Sequence, residues 1–446
     1  MFSRLHTFIG GTHIDAAKNL TAELPIEAIP APEKVVLPLS MHIGAPGEKV
    51  YLGQKIAEAQ GAVSSNIHAS VSGMVVGSER RFLPNGTVAA CMVIKNDGQD
   101  TLDPTITPRE SGLVLPPDEI RQLLAEKGIV GMGGATFPTH VKYAPQSSGR
   151  IIDTVILNGI ECEPFITADY RILIEHADEV IRGLKYFLKA SLANKGIIAI
   201  EDNKPRAIEL FNQLTADDPN ISVVVCPEKY PQGSERHLIY AVTGRVVPER
   251  ALPSAVGVIV DNVATAMQAA LAVKDDLPCY ERIVTVSGNA VHKPGNYRVR
   301  IGTLYSHLVE QGAQGLKNDP ARIISGGPMM GFSLHSLDFP VLKGTGGLLL
   351  FDHQSELAKL PSENPCVRCG KCVDTCPMFL EPTQLFKAVK RRDWPAALAG
   401  HVGTCIECGS CAYNCPAHIP LVQYIRMGKQ FILTDGFGGH NPYYKK

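Results

Sequence analysis

The spacing of hydrophobic and polar residues changes along the chain and separates a β-rich beginning from an α/β middle. Between residues 31 and 96, short apolar stretches such as VVLPL (35–39) and IHASVSGMVV (67–76) alternate with Gly and Pro turns. This alternation predicts a small β-sandwich or barrel. From residue 117 onward, stretches with helical spacing follow one another with short β-branched runs between them, which predicts a parallel α/β sheet. The expected elements are helix 117–127, strand 154–157, helix 168–191, strand 196–200, helix 205–215, strand 221–225 and helices 234–243 and 262–273.

The last third of the chain returns to strands and then becomes helical. A strand, a turn, a strand and a helix follow Glu281, which suggests a small β-grasp module, and residues 321–351 add further strands. Residues 383–391 and 419–431 have the spacing of amphipathic helices. We therefore predict a multidomain α/β protein organised as lead-in 1–30 of irregular structure, barrel-sandwich β domain 31–96, linker 97–116, α/β domain 117–278, β-grasp module with return strands 279–352, helical domain 353–431 and tail 432–446.

Composition narrows the class of protein. The 446 residues carry a formal net charge of −1 and one Trp, which argues against a nucleic-acid partner. No apolar run reaches the ~18–20 residues that span a bilayer, and the first residues do not have the pattern of a signal peptide. We expect a peripheral protein that stays in the cytoplasm.

Eight of the twelve cysteines lie between residues 366 and 415, in two runs of the form C-x2-C-x2-C-x3-C-P. In this pattern three thiolates hold one [4Fe–4S] cluster and the fourth ligates the other cluster. Zinc also favours C-x2-C pairs, but it needs only four ligands per ion, and the third evenly spaced cysteine favours iron–sulfur. The predicted ligands are Cys366, Cys369, Cys372 and Cys415 for cluster 1, and Cys405, Cys408, Cys411 and Cys376 for cluster 2.

A glycine-rich loop, GMGGATFPTHVK (131–142), precedes the first strand of the α/β sheet. A dinucleotide fingerprint needs a strand before the loop and a helix after it, so this loop is not that motif. Its glycines could still let backbone N–H groups approach a phosphate, with Lys142 as a positive charge, or the loop could be a tight surface turn. Asn158, Glu161 and Glu163 follow a predicted parallel strand, where α/β proteins bind ligands, although a solvated loop is the alternative.

Two resemblances to known families follow from these motifs. The barrel-sandwich region resembles biotinyl and lipoyl carrier domains, but residues 59–66 have no Lys at the hairpin, so we expect no carrier function. The order GMGGATFPTHVK, NGIECEP, YPQGSERHLIYAVTG, VDNVAT, HKPGNYRV and KGTGG resembles the NADH-oxidising flavoprotein subunit of respiratory complex I. With the barrel before it and two cysteine runs after it, the whole chain resembles the RnfC proteins of Rnf electron-transport complexes.

The Rnf resemblance implies a peripheral subunit on the cytoplasmic face of the cell membrane. Such a protein exchanges hydride between NAD(H) and FMN and passes single electrons through two [4Fe–4S] clusters. Its implied partners are an iron–sulfur subunit, integral membrane subunits and, indirectly, ferredoxin. The positions that match flavin and nucleotide contacts in the family are Gly131, Gly133, Gly134, Phe137, Lys142, Asn158, Glu161, Glu163, Tyr230, Gly233, Glu235 and Asn262.

The chain departs from the family pattern at three of these motifs. Met132 replaces a basic residue, Ile160 replaces an Asp, and Ser234 replaces one of a pair of acids. These departures leave open an electron-wire or scaffold subunit that uses only its clusters. A further alternative is a quinone- or disulfide-linked reductase component without NADH activity, because helical two-cluster domains recur in such proteins. We expect the other four cysteines to be buried, and assign Cys162 no role although it lies beside the nucleotide site.

Overall fold

The structure is a computed structural model, which describes residues 6–39, 45–61, 63–110, 112–144, 151–249 and 251–434. The tail expected from residue 432 therefore lies mostly outside the described residues. The strands are β1 (Ile26–Ala28), β2 (Lys34–Pro38), β3 (Lys49–Val50), β4 (Lys55–Ala57), β5 (Ile67–His68), β6 (Gly73–Phe82), β7 (Val88–Asn96), β8 (Thr154–Gly159), β9 (Lys195–Glu201), β10 (Ile221–Cys226), β11 (Val258–Asn262), β12 (Glu281–Ser287), β13 (Gly295–Arg300), β14 (Arg322–Ser325), β15 (Phe332–Leu334) and β16 (Gly347–Phe351).

Thirteen helices are assigned within the described residues. They are α1 (Pro117–Glu126), α2 (Thr139–Lys142), α3 (Ala168–Glu175), α4 (Ala177–Ser191), α5 (Pro205–Leu214), α6 (Glu235–Thr243), α7 (Val263–Lys274), α8 (Tyr305–Gln311), α9 (Lys371–Asp374), α10 (Pro382–Lys390), α11 (Trp394–Ala399), α12 (Ser410–Tyr413) and α13 (Leu421–Thr434).

The N-terminal β domain is a four-stranded antiparallel sheet in the order β2-β7-β6-β3, with the pair β4-β5 beside it. A register shift between Val75 and Gly77 marks a bulge in the long β6–β7 ladder. Val35, Leu37 and Ile94 are completely buried and form part of its core. Burial of alternating side chains on one face of such a sheet follows from the alternating sequence pattern.

The α/β domain contains a four-stranded sheet in the order β10-β9-β8-β11, and all of its pairs are parallel. Strand β11 was not predicted from the sequence, because Val258–Asn262 is short and runs directly into helix α7. The helix predicted over 168–191 is wrong as one element: it breaks at His176, whose backbone leaves helical geometry. The break lets α4 lie against α7, where Gly183 approaches Ala266 so closely that no Cβ fits.

A six-stranded mixed sheet in the order β1-β13-β12-β16-β14-β15 follows in the sequence. Its edge strand β1 comes from the region that the sequence pattern describes as an irregular lead-in, and that prediction is wrong for Ile26–Ala28. The three residues are too short to show a period, and their parallel pairing with β13 depends on residues far away in the sequence. The buried Asn296 amide donates to the Thr21 carbonyl and accepts from the Thr167 hydroxyl, and these hydrogen bonds fix this region on the α/β domain.

The C-terminal helical domain packs around helices α10 and α13. It is fastened to the α/β domain by residues 6–18, which we call the N-terminal segment. Gly11 exchanges hydrogen bonds with Thr375, and Thr12 pairs with Tyr230. The lead-in thus lies between two domains that are far apart in the sequence.

Candidate functional site

The glycine-rich loop forms a short hairpin that leads into helix α2. The Gly131 N–H donates to the carbonyl of Phe137 at 2.8 Å, and the Thr136 N–H donates back to Gly131 at 3.1 Å. The backbone between Gly133 and Thr136 is exposed, and the space beside Gly134 is open. Gly134 also has φ +111°, which L side chains rarely adopt. The loop therefore presents accessible backbone N–H groups, as binding of a phosphate requires.

Met132, where a basic residue is usual in the family, turns away from this open face. Its side chain is buried with 3% exposure, and its N–H donates to the Thr265 hydroxyl at 2.9 Å. The departure from the family pattern thus adds to the core beneath the loop.

The loop faces the carboxyl end of the parallel sheet and the start of α7. A Cβ on Gly133 would lie 3.4 Å from that of Asn262. Asn262 caps α7 by accepting from the Ala264 N–H at 2.8 Å, and its amide donates to Asp169 at 2.6 Å. The Asp169 N–H in turn donates to Glu161 at 2.6 Å. Three elements distant in sequence therefore meet in one polar group at a helix N-terminus, where anions are favoured.

Lys142 lies at the same edge of the sheet and is held by acceptors of the protein. Its ammonium donates to the Val260 carbonyl at 2.7 Å and lies 3.3 Å from Asp261 and 3.8 Å from Glu235. Burial alone would lower the pKa of Lys142, but Asp261 and Glu235 outweigh it and raise the pKa. The lysine is therefore a positive charge at this edge. Tyr143, which the sequence analysis did not single out, donates to Asp261 at 2.8 Å and shares this anchor.

Glu161 and Asn158 position the loop after β8. The Asn158 amide donates to the Gly233 carbonyl at 2.8 Å, which joins this loop to the loop before α6. Glu161 has φ +54° and a side chain only 3% exposed, and its Oε2 has no hydrogen-bond partner. Burial raises the pKa of Glu161 to about 7. An orphaned carboxylate oxygen beside the glycine loop marks a place where a bound group could supply the missing partner.

Glu163 and Tyr230 have partners on the side toward the helical domain. Both carboxylate oxygens of Glu163 accept backbone N–H groups, from Met329 at 3.0 Å and Met330 at 2.9 Å. Tyr230 is buried, and its hydroxyl donates to the carbonyl of Cys408 at 2.7 Å. Tyr230 thus connects the α/β domain to the loop that carries the second cysteine run, and Glu163 connects it to the loop between β14 and β15, against which Gly409 of that run lies.

The second cysteine run lies against the α/β domain and receives one cysteine from the first run. Cys376, Cys405, Cys408 and Cys411 line one apolar cavity. Burial raises the pKa of the thiols of Cys405, Cys408 and Cys411, and neighbouring cysteines including Cys376 act in the same direction. No three His, Cys, Asp or Glu side chains in the described parts of the chain converge on one point as ligands of a single ion would. The cysteines surround a volume, and thiolates placed around a space fit a cluster of several atoms.

The remaining four cysteines of the two runs differ in their burial. Cys372 is buried beside Cys415, and a hydrogen bond of 2.9 Å from Asn364 to Ala417 holds the start of the first run against the end of the second. Cys366 and Cys369 are exposed. Cys376 thus lies with three cysteines of the second run, and Cys372 lies beside Cys415, which is compatible with the crossed pattern predicted from the sequence. The scattered Cys91, Cys226 and Cys279 are buried, as expected, while Cys162 is partly buried.

Family models match four consecutive parts of the chain. They are an RnfC barrel sandwich hybrid domain (6–99), a Nuo51 FMN-binding domain (124–271), an SLBB domain (283–333) and a 4Fe-4S dicluster domain (363–419). The C subunit of the Na⁺-translocating ferredoxin:NAD⁺ oxidoreductase complex of Acetobacterium woodii is 42% identical over 96% of this chain and 97% of that protein.

The chain belongs to the RnfC family. Two other members show a comparable extent of similarity. The C subunit of the proton-translocating ferredoxin:NAD⁺ oxidoreductase complex of Clostridium ljungdahlii is 43% identical over 85% of this chain and 84% of that protein. The C subunit of the ion-translocating oxidoreductase complex of Rhodobacter capsulatus is 40% identical over 96% of this chain and 84% of that protein.

The RnfC matches confirm the expected fold class, family, FMN-binding domain and two-cluster domain. The order of the four matched domains is the order predicted from the sequence. No helix among the described residues has both the length and the apolar character needed to cross a bilayer. The sequence analysis missed Lys18, Asp169 and Tyr143. Asp169 could have been noticed as an acid in the first turn of a predicted helix, whereas nothing near Lys18 marks it.

Proposed function

We propose that this chain is the NAD(H)-linked subunit of a membrane-bound, ion-translocating ferredoxin:NAD⁺ oxidoreductase complex. In this role it lies on the cytoplasmic face of the cell membrane, and its partners are an iron–sulfur subunit and integral membrane subunits. The observation that carries the proposal is the 2.7 Å hydrogen bond from Tyr230 to the Cys408 carbonyl, because it joins the nucleotide-site loop directly to a cluster loop. The FMN-binding and dicluster matches and the names of the relatives support it.

The open glycine loop and its surroundings have the features needed to hold FMN. The N–H groups around Gly133 and Gly134 and the N-terminus of α7 would bind the phosphate, with Lys142 as the positive charge. Asn158 and Glu161 would lie along the isoalloxazine ring. FMN, once bound, supplies the conversion between two-electron hydride transfer and one-electron transfer. The protein's task is to hold NADH against it and to exclude water.

The nucleotide would enter from the exposed side of the loop. Phe137 is partly exposed and would stack on the nucleotide, and Gly131 and Gly233 leave room for it. Glu235 is 44% exposed at the side chain and can reach a ligand by leaving Lys142. Glu163, by contrast, has both oxygens occupied, so we propose that it positions the Met329–Met330 backbone between the nucleotide site and the second cysteine run.

The two groups of cysteines suggest the order of electron transfer. We assign Cys376, Cys405, Cys408 and Cys411 to the cluster beside the flavin site, because they line one cavity and the Cys408 carbonyl accepts the hydrogen bond from Tyr230. Cys366, Cys369, Cys372 and Cys415 then hold the outer cluster. Electrons would pass between flavin and partner subunits through the inner and then the outer cluster.

The surroundings of the outer cluster suit an acidic redox partner. Arg368 and Lys371 are exposed on the first run, and Val367 between its cysteines is 66% exposed. Apolar side chains next to the cluster with cations at the rim are features of a protein interface. We propose that the iron–sulfur partner binds at this surface.

Cofactor analysis of anaerobically purified protein tests the proposed function. We expect about eight irons per chain, from two cubanes, together with one FMN, and bleaching of flavin and cluster absorbance on addition of NADH. Eight irons without flavin, even after reconstitution with FMN, would instead support the electron-wire alternative. Clusters and flavin that NADH does not reduce would contradict the assignment to NAD(H).

The crossed ligand sets have a separate test. Cys376→Ser should remove the inner cluster although Cys376 belongs to the first run, and Cys415→Ser should remove the outer one. Each variant should retain about four irons. Electron paramagnetic resonance after addition of NADH should show one reduced cluster in the Cys415→Ser protein. In the Cys376→Ser protein the remaining cluster should stay oxidised. The reverse pattern would show that each run holds its own cluster.

A further inference from the structure

A polar cavity of roughly 240 Å³ lies beside the proposed flavin site, under the N-terminal segment. His13 and Lys18 of that segment line one wall, and Cys162 and Tyr230 line the wall shared with the flavin site. Glu228, at the carboxyl edge of the α/β sheet, is exposed, as is His13, so the cavity opens to solvent between them. Neither the proposed binding of FMN nor that of NADH uses this cavity.

Glu201 is the buried charged group of the cavity. It ends strand β9, and its side chain is only 1% exposed. Its Oε2 accepts from Lys204 at 3.1 Å and from Asn203 at 3.2 Å, whereas its Oε1 has no hydrogen-bond partner. An unsatisfied carboxylate oxygen in a polar cavity of this size is a binding site for water molecules or for a proton.

A second orphaned carboxylate oxygen lies on the flavin side of the same wall. Oε2 of Glu161 lies 3.8 Å from the Lys18 ammonium, which also lines the cavity. Lys18 is held there by the carbonyls of Glu163 and Ile166. Glu161, Lys18 and Glu201 therefore form a buried series of titratable groups between the flavin site and a cavity that opens to solvent.

The proposed reaction requires such a connection. Oxidation of NADH to NAD⁺ releases two electrons and one proton, and the cysteine-held clusters receive only the electrons. We propose that Glu161, Lys18 and Glu201 carry this proton between the flavin site and the cavity, and in the opposite direction when NAD⁺ is reduced. The path rests on the proposed function, because Glu161 can exchange a proton with the flavin site only when a flavin is bound there.

The charges around the path suit this role. Glu161 faces Lys18, Asp169 and Lys204, and Glu201 faces Lys204, Lys18 and Glu228. Burial raises the pKa of Glu161 to about 7, while burial lowers the pKa of Lys18. The two groups are therefore closer in pKa than an ordinary carboxylic acid and amine, and a proton can pass between them at lower cost.

Proton release during a single turnover tests the path. Wild type and variants, purified anaerobically with both cofactors, are mixed with NADH in weak buffer containing a pH indicator. Cluster reduction is followed in the same mixing experiment. Glu201→Gln keeps the shape of the side chain and does not touch the proposed flavin site, and Glu161→Gln is the second variant. The matched control is Glu281→Gln, because Glu281 is also a carboxylate with a pKa raised by burial, on strand β12 outside the cavity.

We expect Glu201→Gln to slow proton release by about 10- to 100-fold and to increase its solvent isotope effect, with iron and flavin content unchanged. Glu161→Gln, compared after it has been loaded with flavin, should slow proton release in the same way. Glu281→Gln should release protons at the wild-type rate. Unchanged release in both path variants, or equal slowing in the control, would overturn the path. A wild type without flavin, or one that NADH does not bleach, would refute the proposed function and the path with it, whereas unchanged proton release in variants that NADH does bleach would refute the path alone.

Discussion

The two cysteine runs have nearly the same backbone in different surroundings. In each run a glycine at φ +78° or +80° starts a one-turn helix, and a left-handed residue, Arg368 or Glu407, precedes the second cysteine. The second run is covered by Tyr230 and the loop of Met329, while Cys366 and Cys369 of the first run face solvent. One copy of a repeated motif is thus covered by the surrounding domains, while two cysteines of the other copy are exposed.

The largest expected effect comes from removing one ligand in each run. Cys408→Ser should abolish reduction of both clusters by NADH, because the inner cluster is the only connection to the outer one in the proposed order. Cys369→Ser should leave one cluster that NADH reduces. Electron paramagnetic resonance after NADH addition checks both variants, with chemical reduction by dithionite to count the clusters that remain. Retained NADH reduction in Cys408→Ser would contradict the proposed order.

The matching glycines give the next largest contrast. Any side chain is strained at these φ values, by about 1–2 kcal/mol. A Cβ on Gly409 would also lie 3.0 Å from the Met329 carbonyl, whereas one on Gly370 has nothing within 4 Å. Gly409→Ala should therefore reduce stability and iron retention more than Gly370→Ala. Thermal unfolding of the iron-loaded proteins measures the difference. Equal losses of stability would show that the Met329 backbone moves to make room for the added Cβ.

Tyr230→Phe removes the hydroxyl that joins the inner run to the α/β domain. Because the change leaves the buried Cys408 carbonyl without its donor, we expect a loss of about 1–3 kcal/mol in the free energy of unfolding. Denaturant unfolding of the holoprotein measures this loss. Tyr413→Phe is the control, because Tyr413 lies in the second run but is 53% exposed. An equal loss in the control would argue against the hydrogen bond.

The smallest expected effect concerns the left-handed residue before the second cysteine of each run, which is Glu407 in the second run and Arg368 in the first. Glu407 is bonded by Arg426 at 2.8 Å and Lys429 at 2.5 Å, while its counterpart Arg368 is exposed. Burial raises the pKa of Glu407, but the bonds from Lys429 and Arg426 outweigh it and lower the pKa. Glu407→Gln should cost about 0.5–1 kcal/mol after screening by water.

The direction of the pKa shift of Glu407 determines how its contribution to stability depends on pH. Because the folded pKa is depressed, the stabilisation is complete above the ordinary value of about 4.3 and is lost as pH falls through the lower folded pKa. Wild type and Glu407→Gln should therefore differ in stability at pH 7 and converge in acid. Urea unfolding at several pH values checks this on apoprotein, where cluster loss does not interfere. A constant difference would exclude ionisation as its source.

The sequence predicts local features of this molecule better than distant ones. The position of Cys376 beside the second cysteine run agrees with the spacing of the cysteines, and the parallel sheet follows from the alternation of helices and strands. Strand β1 is too short to show a period and forms by pairing with a strand far along the chain. The two hydrogen bonds to the Glu163 carboxylate could not be predicted from the sequence either. Their donors, Met329 and Met330, belong to no motif and contribute only backbone N–H groups.

The glycine pair at the start of the N-terminal segment has a consequence for how the protein is made. Gly10 lies against the Cys376 carbonyl and Gly11 against that of Tyr230, with no room for a Cβ at either position. The hydrogen bond between Gly11 and Thr375 joins residues 364 apart. Gly10 and Gly11 therefore leave the ribosome long before Thr375 and Cys376, against which they lie. Their docking can proceed only after the cysteine-rich domain has been synthesised, so maturation of the metal centres and closure of the interdomain joint belong to the same late stage of biogenesis.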